Sequence, residues 1–215
     1  MKRSSLLLLL VVFYQPASAN AQAPHTVLSF GAGGAFSQGN GFGRGTAFRV
    51  QSDTFARRFG FLLQGTVLPA NKRYAPDRSG SSVSTDMLIL PRFKFHRYFS
   101  AEAGGELSAT VIKGFKSKSG FGPVFGLRAD GSSGKSNGEF HVRVRKDVTS
   151  ENKVLTIAIG GQGHYQATKH IGWFAGAEGL FSTFSQPFVT GNPTGNSQDF
   201  RIFGGISLVL TRAGQ

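Results

Sequence analysis

The sequence predicts an all-β fold: antiparallel strands, about ten of them and otherwise eight, closed into an up-and-down barrel. Three observations carry that expectation. Glycine supplies 30 of 215 residues, about twice ordinary usage, with no triplet period and no helical periodicity beside it. Apolar and polar residues alternate with period two through ten successive runs. The connections between those runs alternate longer and shorter.

The runs begin only after an N-terminal address. Lys2 and Arg3 precede an apolar stretch, Leu6 to Phe13, and small residues then repeat from Ala17 to Ala23. A basic start, a short apolar run and small residues around a cut form a secretory signal peptide. Residues 1–23 are therefore set apart, and 24–215 are read as one barrel domain. The apolar run is too short to span a bilayer as a helix, and no apolar stretch of eighteen or more follows it. With no cysteine there is no disulfide framework, thiolate nucleophile or iron–sulfur site. The net charge of +13 could suit nucleic acid, but export points instead to phosphate-bearing lipid.

Each run has its own reason. In 26–36, Leu28, Phe30 and Ala32 share one phase; in 46–52, Phe48 and Val50 flank Arg49; in 58–68, Phe59, Phe61 and Leu63 oppose Gln64. Run 85–96 sets Met87, Ile89, Phe93 and Phe95 against Arg92 and Lys94. Pro91 lies inside it, and because proline cannot donate to a ladder, a bulge or a shorter strand is expected there. Run 100–111 sets Ala101, Ala103, Leu107 and Val111 against Glu102 and Glu106, and 121–129 sets Phe121, Phe125 and Leu127 against Arg128. In 139–146, Phe140, Val142 and Val144 oppose His141, Arg143 and Arg145; in 154–167, Leu155, Ile157 and Ile159 oppose Gln162 and His164. Glu178 interrupts the polar side of 172–184, whose other phase holds Trp173, Ala175 and Phe181. Run 200–211 alternates Phe200, Ile202, Ile206, Leu208 and Leu210 with Arg201. One phase, followed through all ten runs, contains no charge.

The connections fall at 37–45, 53–57, 69–84, 97–99, 112–120, 130–138, 147–153, 168–171 and 185–199, with only 130–138 breaking the rhythm. Long connections on one side, short ones on the other and an even strand number describe a barrel of the bacterial outer membrane. About 11 residues per strand, at ~3.3 Å each and tilted ~45°, cover the ~25 Å apolar band. Phe36, Tyr98, Phe99, Phe140, Trp173, Phe184 and Phe200 lie near run ends, where interfacial girdles form. After the signal peptide, nearly the whole chain resembles a small outer-membrane β-barrel of the OmpA/OmpX-like type. Its last run is similar to the C-terminal assembly signal of such barrels at Gly205, Leu208 and Leu210, with Phe203 ahead of the glycine and a non-aromatic end, Thr211 to Gln215. That resemblance implies recognition by the barrel assembly machinery and a location in a Gram-negative outer membrane.

Alternation leaves a fork: the charge-free phase meets lipid, or it fills a soluble, lipocalin-like carrier. Many bulky aromatics beside small residues exceed what a small barrel interior holds, which favours lipid outside. Arg49, Arg92, Lys94, Glu102, Glu106, Arg128, Arg143, Glu178 and Arg201 would then form a lumen charge network. Arg145 raises its cations to seven against three glutamates, so an open lumen would prefer anions and a tightly paired one would be plugged. The expected role is structural or surface-binding and non-enzymatic, in a monomer without cofactors. The alternatives are a narrow anion-preferring pore and the soluble carrier. Lys72, Arg73, Arg78, Lys113, Lys116 and Lys118 belong to longer connections, where they could pair with lipopolysaccharide phosphates.

Other motifs dissolve on inspection. Gly131 to Ser136 ends like a phosphate loop, but Ala129 stands where its first glycine belongs and a strand follows instead of a helix. Gly39 to Gly45 reads as a loop, not a dinucleotide site. His25, His96, His141, His164 and His170 show no metal-ligand spacing. Ser207, His164 and Glu178 share the inward phase without a nucleophile motif.

Overall fold

The computed structural model describes residues 25–39, 43–56, 58–75, 78–113, 118–148, 154–184 and 196–211. The signal segment, Lys116 and most of the longest connections lie outside them. Ten antiparallel strands form a closed barrel: β1 (His25–Gly39), β2 (Gly43–Ala56), β3 (Phe59–Ala75), β4 (Arg78–Lys94), β5 (Phe99–Ile112), β6 (Lys118–Ser133), β7 (Ser136–Lys146), β8 (Val154–Gln166), β9 (Ile171–Phe184) and β10 (Asn196–Thr211). Each strand pairs with its neighbours in sequence, and β10 closes on β1. The chain enters β1 and leaves β10 at the same rim, here called the terminal rim.

Register fixes the girth. Starting at His25 and stepping strand by strand, the partners are Phe55, Gly60, Arg92, Glu102, Gly126, Arg143, Ala158, Leu180, Asp199 and finally Ser37. One circuit therefore returns to β1 about twelve residues further along, which is the stagger that tilts the strands. With ten strands ~4.8 Å apart and tilted ~40°, the backbone radius is ~10 Å, narrow enough for long side chains to meet across the middle.

Strands extend further than the alternation in sequence suggested. Residues 69–84, expected as a connection, are the paired ends of β3 and β4, joined at Ala75 and Arg78. Residues 130–138 form a hairpin closed by Ser133 and Ser136, in which Gly134 adopts φ 56°. A two-residue turn needs that left-handed conformation, and glycine takes it without a Cβ clash. The odd member of the rhythm is thus a tight turn at the terminal rim. Pro91 produces neither a bulge nor a shorter strand. It pairs with Phe61 on β3, while the β4–β5 ladder skips Leu90 and Pro91 and resumes at Arg92 in the same register. A Cβ on Gly104, the residue facing that gap, would collide with the Ile89 carbonyl.

The two phases separate as inside and outside. Among the described residues, thirty-three large apolar side chains are exposed, including Phe125 at 64% and Ile202 at 57%, against seven that are buried. A water-soluble fold has the reverse arrangement. The charge-free phase is the outer surface, which answers the fork, and the interior holds the charges.

Candidate functional site: a lumen of crossed ion pairs

Period two sends every second residue inward, and ten strands therefore deliver arginines and carboxylates to a common axis. Arg49 on β2 reaches Glu178 on β9 at 2.6 Å, three strands away round the barrel. Arg128 on β6 reaches Asp53 on β2 at 2.9 Å, and Arg201 on β10 reaches Asp86 on β4 at 3.1 Å, each four strands away. These pairs cross the lumen instead of running along its wall.

Shorter links join them. Asp53 also holds Arg92 at 2.6 Å, and Arg92 lies 2.9 Å from Glu102, whose other oxygen accepts from Arg143 Nε at 2.6 Å. Arg128 continues to Glu139 and Asp130, both at 2.5 Å. His141 stands between Glu139 (3.7 Å) and Glu178 (3.4 Å), which brings the path back to Arg49. Four guanidiniums, five carboxylates and one imidazole so form one connected lattice. Arg145 with Glu106, at 2.5 Å, and Arg201 with Asp86 stand apart from it. Buried charges are tolerated only when paired this closely, because each leaves water at a cost of several kcal/mol.

Glycine makes two of these contacts geometrically attainable. Glu102, Gly126 and Arg143 occupy one register row on β5, β6 and β7. A Cβ on Gly126 would lie 2.8 Å from Arg143 Cγ, 2.9 Å from the Val142 carbonyl and 3.3 Å from Glu102 Oε2. The bare backbone of β6 is the lane over which the pair meets. His141, Gly160 and Glu178 repeat the arrangement on β7, β8 and β9, with Gly160 2.9 Å from His141 Nε2 by the same measure.

The lumen is not wholly polar. Leu62, Leu88, Leu90 and Val124 form one small apolar cluster, and Ala35, Ala47, Leu68, Phe174 and Phe203 another. Arg49 lies over the Phe203 ring at 3.7 Å, and Phe55 has the guanidiniums of Arg92 and Arg128 within 5.9 Å and the Lys94 ammonium at 5.5 Å. Such faces attract cations through the ring quadrupole and supply partners that carboxylates do not.

Of the nine lumen residues read from sequence, Arg49, Arg92, Glu102, Arg128, Arg143 and Glu178 lie in the lattice; Glu106 and Arg201 form the separate pairs; and half-buried Lys94 meets Phe55. Sequence reading missed Asp53, Asp86, Asp130 and Glu139. Asp86 and Glu139 lie inside runs already drawn, in the inward phase; Asp53 and Asp130 fall just beyond the ends of theirs. With these acids counted, the cation excess expected inside is absent among the described residues, and with it the basis for anion preference.

The triad candidates do not assemble. His164 stacks on Phe174 with ring centroids 5.6 Å apart and approaches Gln162 at 3.0 Å, whereas the Glu178 oxygens face Arg49 and His141. Lys72, Arg73, Arg78 and Lys118 sit near strand ends at the rim opposite the termini, and Lys113 is exposed there. Gly205, Leu208 and Leu210 lie on the closing strand; both leucines are exposed, and a Cβ on Gly205 would strike the Phe30 carbonyl. Of the aromatics expected at interfaces, Phe36, Phe99, Phe140, Trp173 and Phe200 are exposed and Tyr98 is half-buried.

Neither a protein-family model nor a curated protein matches the chain. It is similar to several solved structures. Neisserial surface protein A is 10% identical with a TM-score of 0.41, covering 86% of this chain and 96% of its own. The translocator domain of the autotransporter NalP from Neisseria meningitidis is 12% identical with a TM-score of 0.44, covering 94% of each chain. A loop-deleted OmpT, an outer membrane protein of Vibrio cholerae, is 9% identical with a TM-score of 0.33, covering 89% of this chain and all of its own.

Proposed function

We propose that the chain is an integral outer-membrane protein whose barrel stands in lipid and whose lumen is closed by its own ion pairs. Its role is structural or surface-binding and non-enzymatic, with no open pore. One observation carries this reading: apolar side chains cover the outside while arginine–carboxylate pairs cross the inside. A bilayer core solvates the first and excludes the second, whereas water would do the opposite. The N-terminal address supports export, and the shared rim of both termini supports a periplasmic position for that rim.

On this reading the opposite rim faces outward, and Lys72, Arg73, Arg78, Lys113, Lys116 and Lys118 are proposed contacts for lipopolysaccharide phosphates. Gly205, Leu208 and Leu210 are the proposed signal to the assembly machinery, and the protein works as a monomer. The test combines two measurements on full-length mature protein. Extracted from membranes, it should migrate differently on a denaturing gel before and after boiling, as closed barrels do. Reconstituted in planar bilayers, it should give no conductance steps. Recovery in the soluble periplasm would overturn the membrane reading, and regular steps with anion selectivity would replace the plugged lumen by a pore.

A further inference from the structure

The two rims differ in how their connections are charged. At the terminal rim, the four turns 57–58, 95–98, 134–135 and 167–170 contain Arg57, Arg58, Arg97, Lys135 and Lys169, with His96 and His170 and no Asp or Glu. At the far rim, the connections carry Lys113, Lys116 and Lys153 but also Asp77, Asp147 and Glu151. The far rim thus mixes both signs, with acids in 76–77 and 147–153 and cations alone in 113–117, whereas no terminal-rim turn carries an acid. Arg58, Arg97, Lys135 and Lys169 are all exposed.

Their backbones are held in place. The Arg58 carbonyl accepts from the Lys94 N–H at 2.7 Å, the Lys135 carbonyl from the Gln166 N–H at 2.8 Å, and the Lys169 carbonyl from the Gln166 side-chain amide at 2.9 Å. His96 and Phe99 exchange backbone hydrogen bonds at 3.2 Å, closing the turn that contains Arg97. Exposed rings adjoin two of these cations in sequence, with Phe59 following Arg58 and Phe95 and Phe99 flanking the Arg97 turn, and Trp173 lies four residues beyond Lys169. The Arg97 guanidinium lies over the Tyr98 ring at 4.5 Å. Aromatic rings settle at the headgroup level of a bilayer, so the cations next to them stand at the depth of lipid phosphate.

We propose that the terminal rim is a binding ring for anionic glycerophospholipid headgroups, with Arg58, Arg97, Lys135 and Lys169 as its phosphate contacts. This rests on the membrane reading above. The turns recur at every second strand, roughly 10–13 Å apart for tilted strands ~4.8 Å from one another. That spacing is close to the Debye length at physiological salt, ~8 Å, so the four turns act as a dilute ring and not as one concentrated patch. A headgroup layer meets all four together, at the depth their neighbouring rings set.

The test is the association of spin-labelled lipid with the refolded full-length mature protein in mixed phosphatidylglycerol and phosphatidylcholine vesicles. The wild type should hold spin-labelled phosphatidylglycerol in preference to phosphatidylcholine, and rising salt should erode the preference. A cation at an anionic surface is worth about fivefold at its own site, or roughly twofold averaged over the surrounding lipid shell. Joint Arg58→Gln, Arg97→Gln, Lys135→Gln and Lys169→Gln replacement should lower the ratio to the residue set by the far-rim cations, with heat-dependent gel mobility unchanged. An undiminished ratio in that variant overturns the proposal. If the variant does not refold, the wild-type salt series decides alone, and a salt-independent ratio overturns it. Absence of motionally restricted lipid of either kind is a different result: it removes the membrane reading itself.

Discussion

The lane at Gly126 permits a quantitative prediction. Replacing Gly126 by Val places a Cβ 2.8 Å from Arg143 Cγ and 3.3 Å from Glu102 Oε2, with two further methyls beyond it. Arg143 must then swing away, leaving Glu102 with Arg92 alone, although it loses a 2.6 Å partner inside the lumen. Breaking a buried pair from one side costs about 3–5 kcal/mol. The gain from removing a flexible glycine in a strand is only about 0.5–1 kcal/mol, so the net loss should be about 3 kcal/mol. The approach to the Val142 carbonyl, 2.9 Å, is a backbone contact and persists in any variant. Urea unfolding of vesicle-inserted protein, followed by circular dichroism, would measure the loss. A double-mutant cycle with Arg143→Ala isolates the crossing, because without the long side chain Gly126→Val has only the carbonyl and the flexible Glu102 carboxylate to meet. Gly126→Val at wild-type stability, or a cycle with coupling under about 0.5 kcal/mol, would refute the account of glycine as a lane.

Other perturbations separate the remaining claims. Arg49→Ala should cost about 3–5 kcal/mol by leaving Glu178 against His141 alone, and Arg49→Met with Glu178→Leu should restore most of it; denaturant midpoints of the three proteins show whether charge pairing or volume matters. Phe125→Arg, at the middle of β6 and 64% exposed, should lose about 2–4 kcal/mol in vesicles, whereas an unchanged unfolding curve would contradict a lipid-facing surface. Removing the crossing pairs with Asp53→Ala, Arg128→Ala, Asp86→Ala and Arg201→Ala should produce conductance in planar bilayers where the wild type has none, and continued silence would locate the plug elsewhere.

Much of this architecture was legible because alternation is a local property with global consequences. Phe48–Arg49–Val50 or Val142–Arg143–Val144 already states which side is which, and ten such statements in one phase define a surface. Strand ends were less legible, since Asp53 and Phe55 look like loop residues until the inward alternation is continued from Arg49 and Gln51. The partners of each arginine were not legible at all. Arg128 meets Asp53 across 75 residues and Arg201 meets Asp86 across 115, distances set by the stagger of the whole barrel and written in no single run. Gly126 and Gly160 were visible as glycines, but their use as crossings appears only when register places them between charged neighbours.

The seam between β1 and β10 has a kinetic implication. β1 bonds along its whole length, from His25 with Thr211 to Gly39 with Ser197, to β10, which lies nine strands further along the chain. Hairpins such as β6–β7 can form early, but His25 to Gly39 must wait with one edge unsatisfied until β10 docks. Until that moment Glu178 has no Arg49 and Asp86 has no Arg201 in reach, so the pairs that cross the seam form last, after those carried within β2–β7. Loss of β10 would therefore remove more than its sixteen residues: it would leave two raw edges in lipid and Asp86 without Arg201 at the same time.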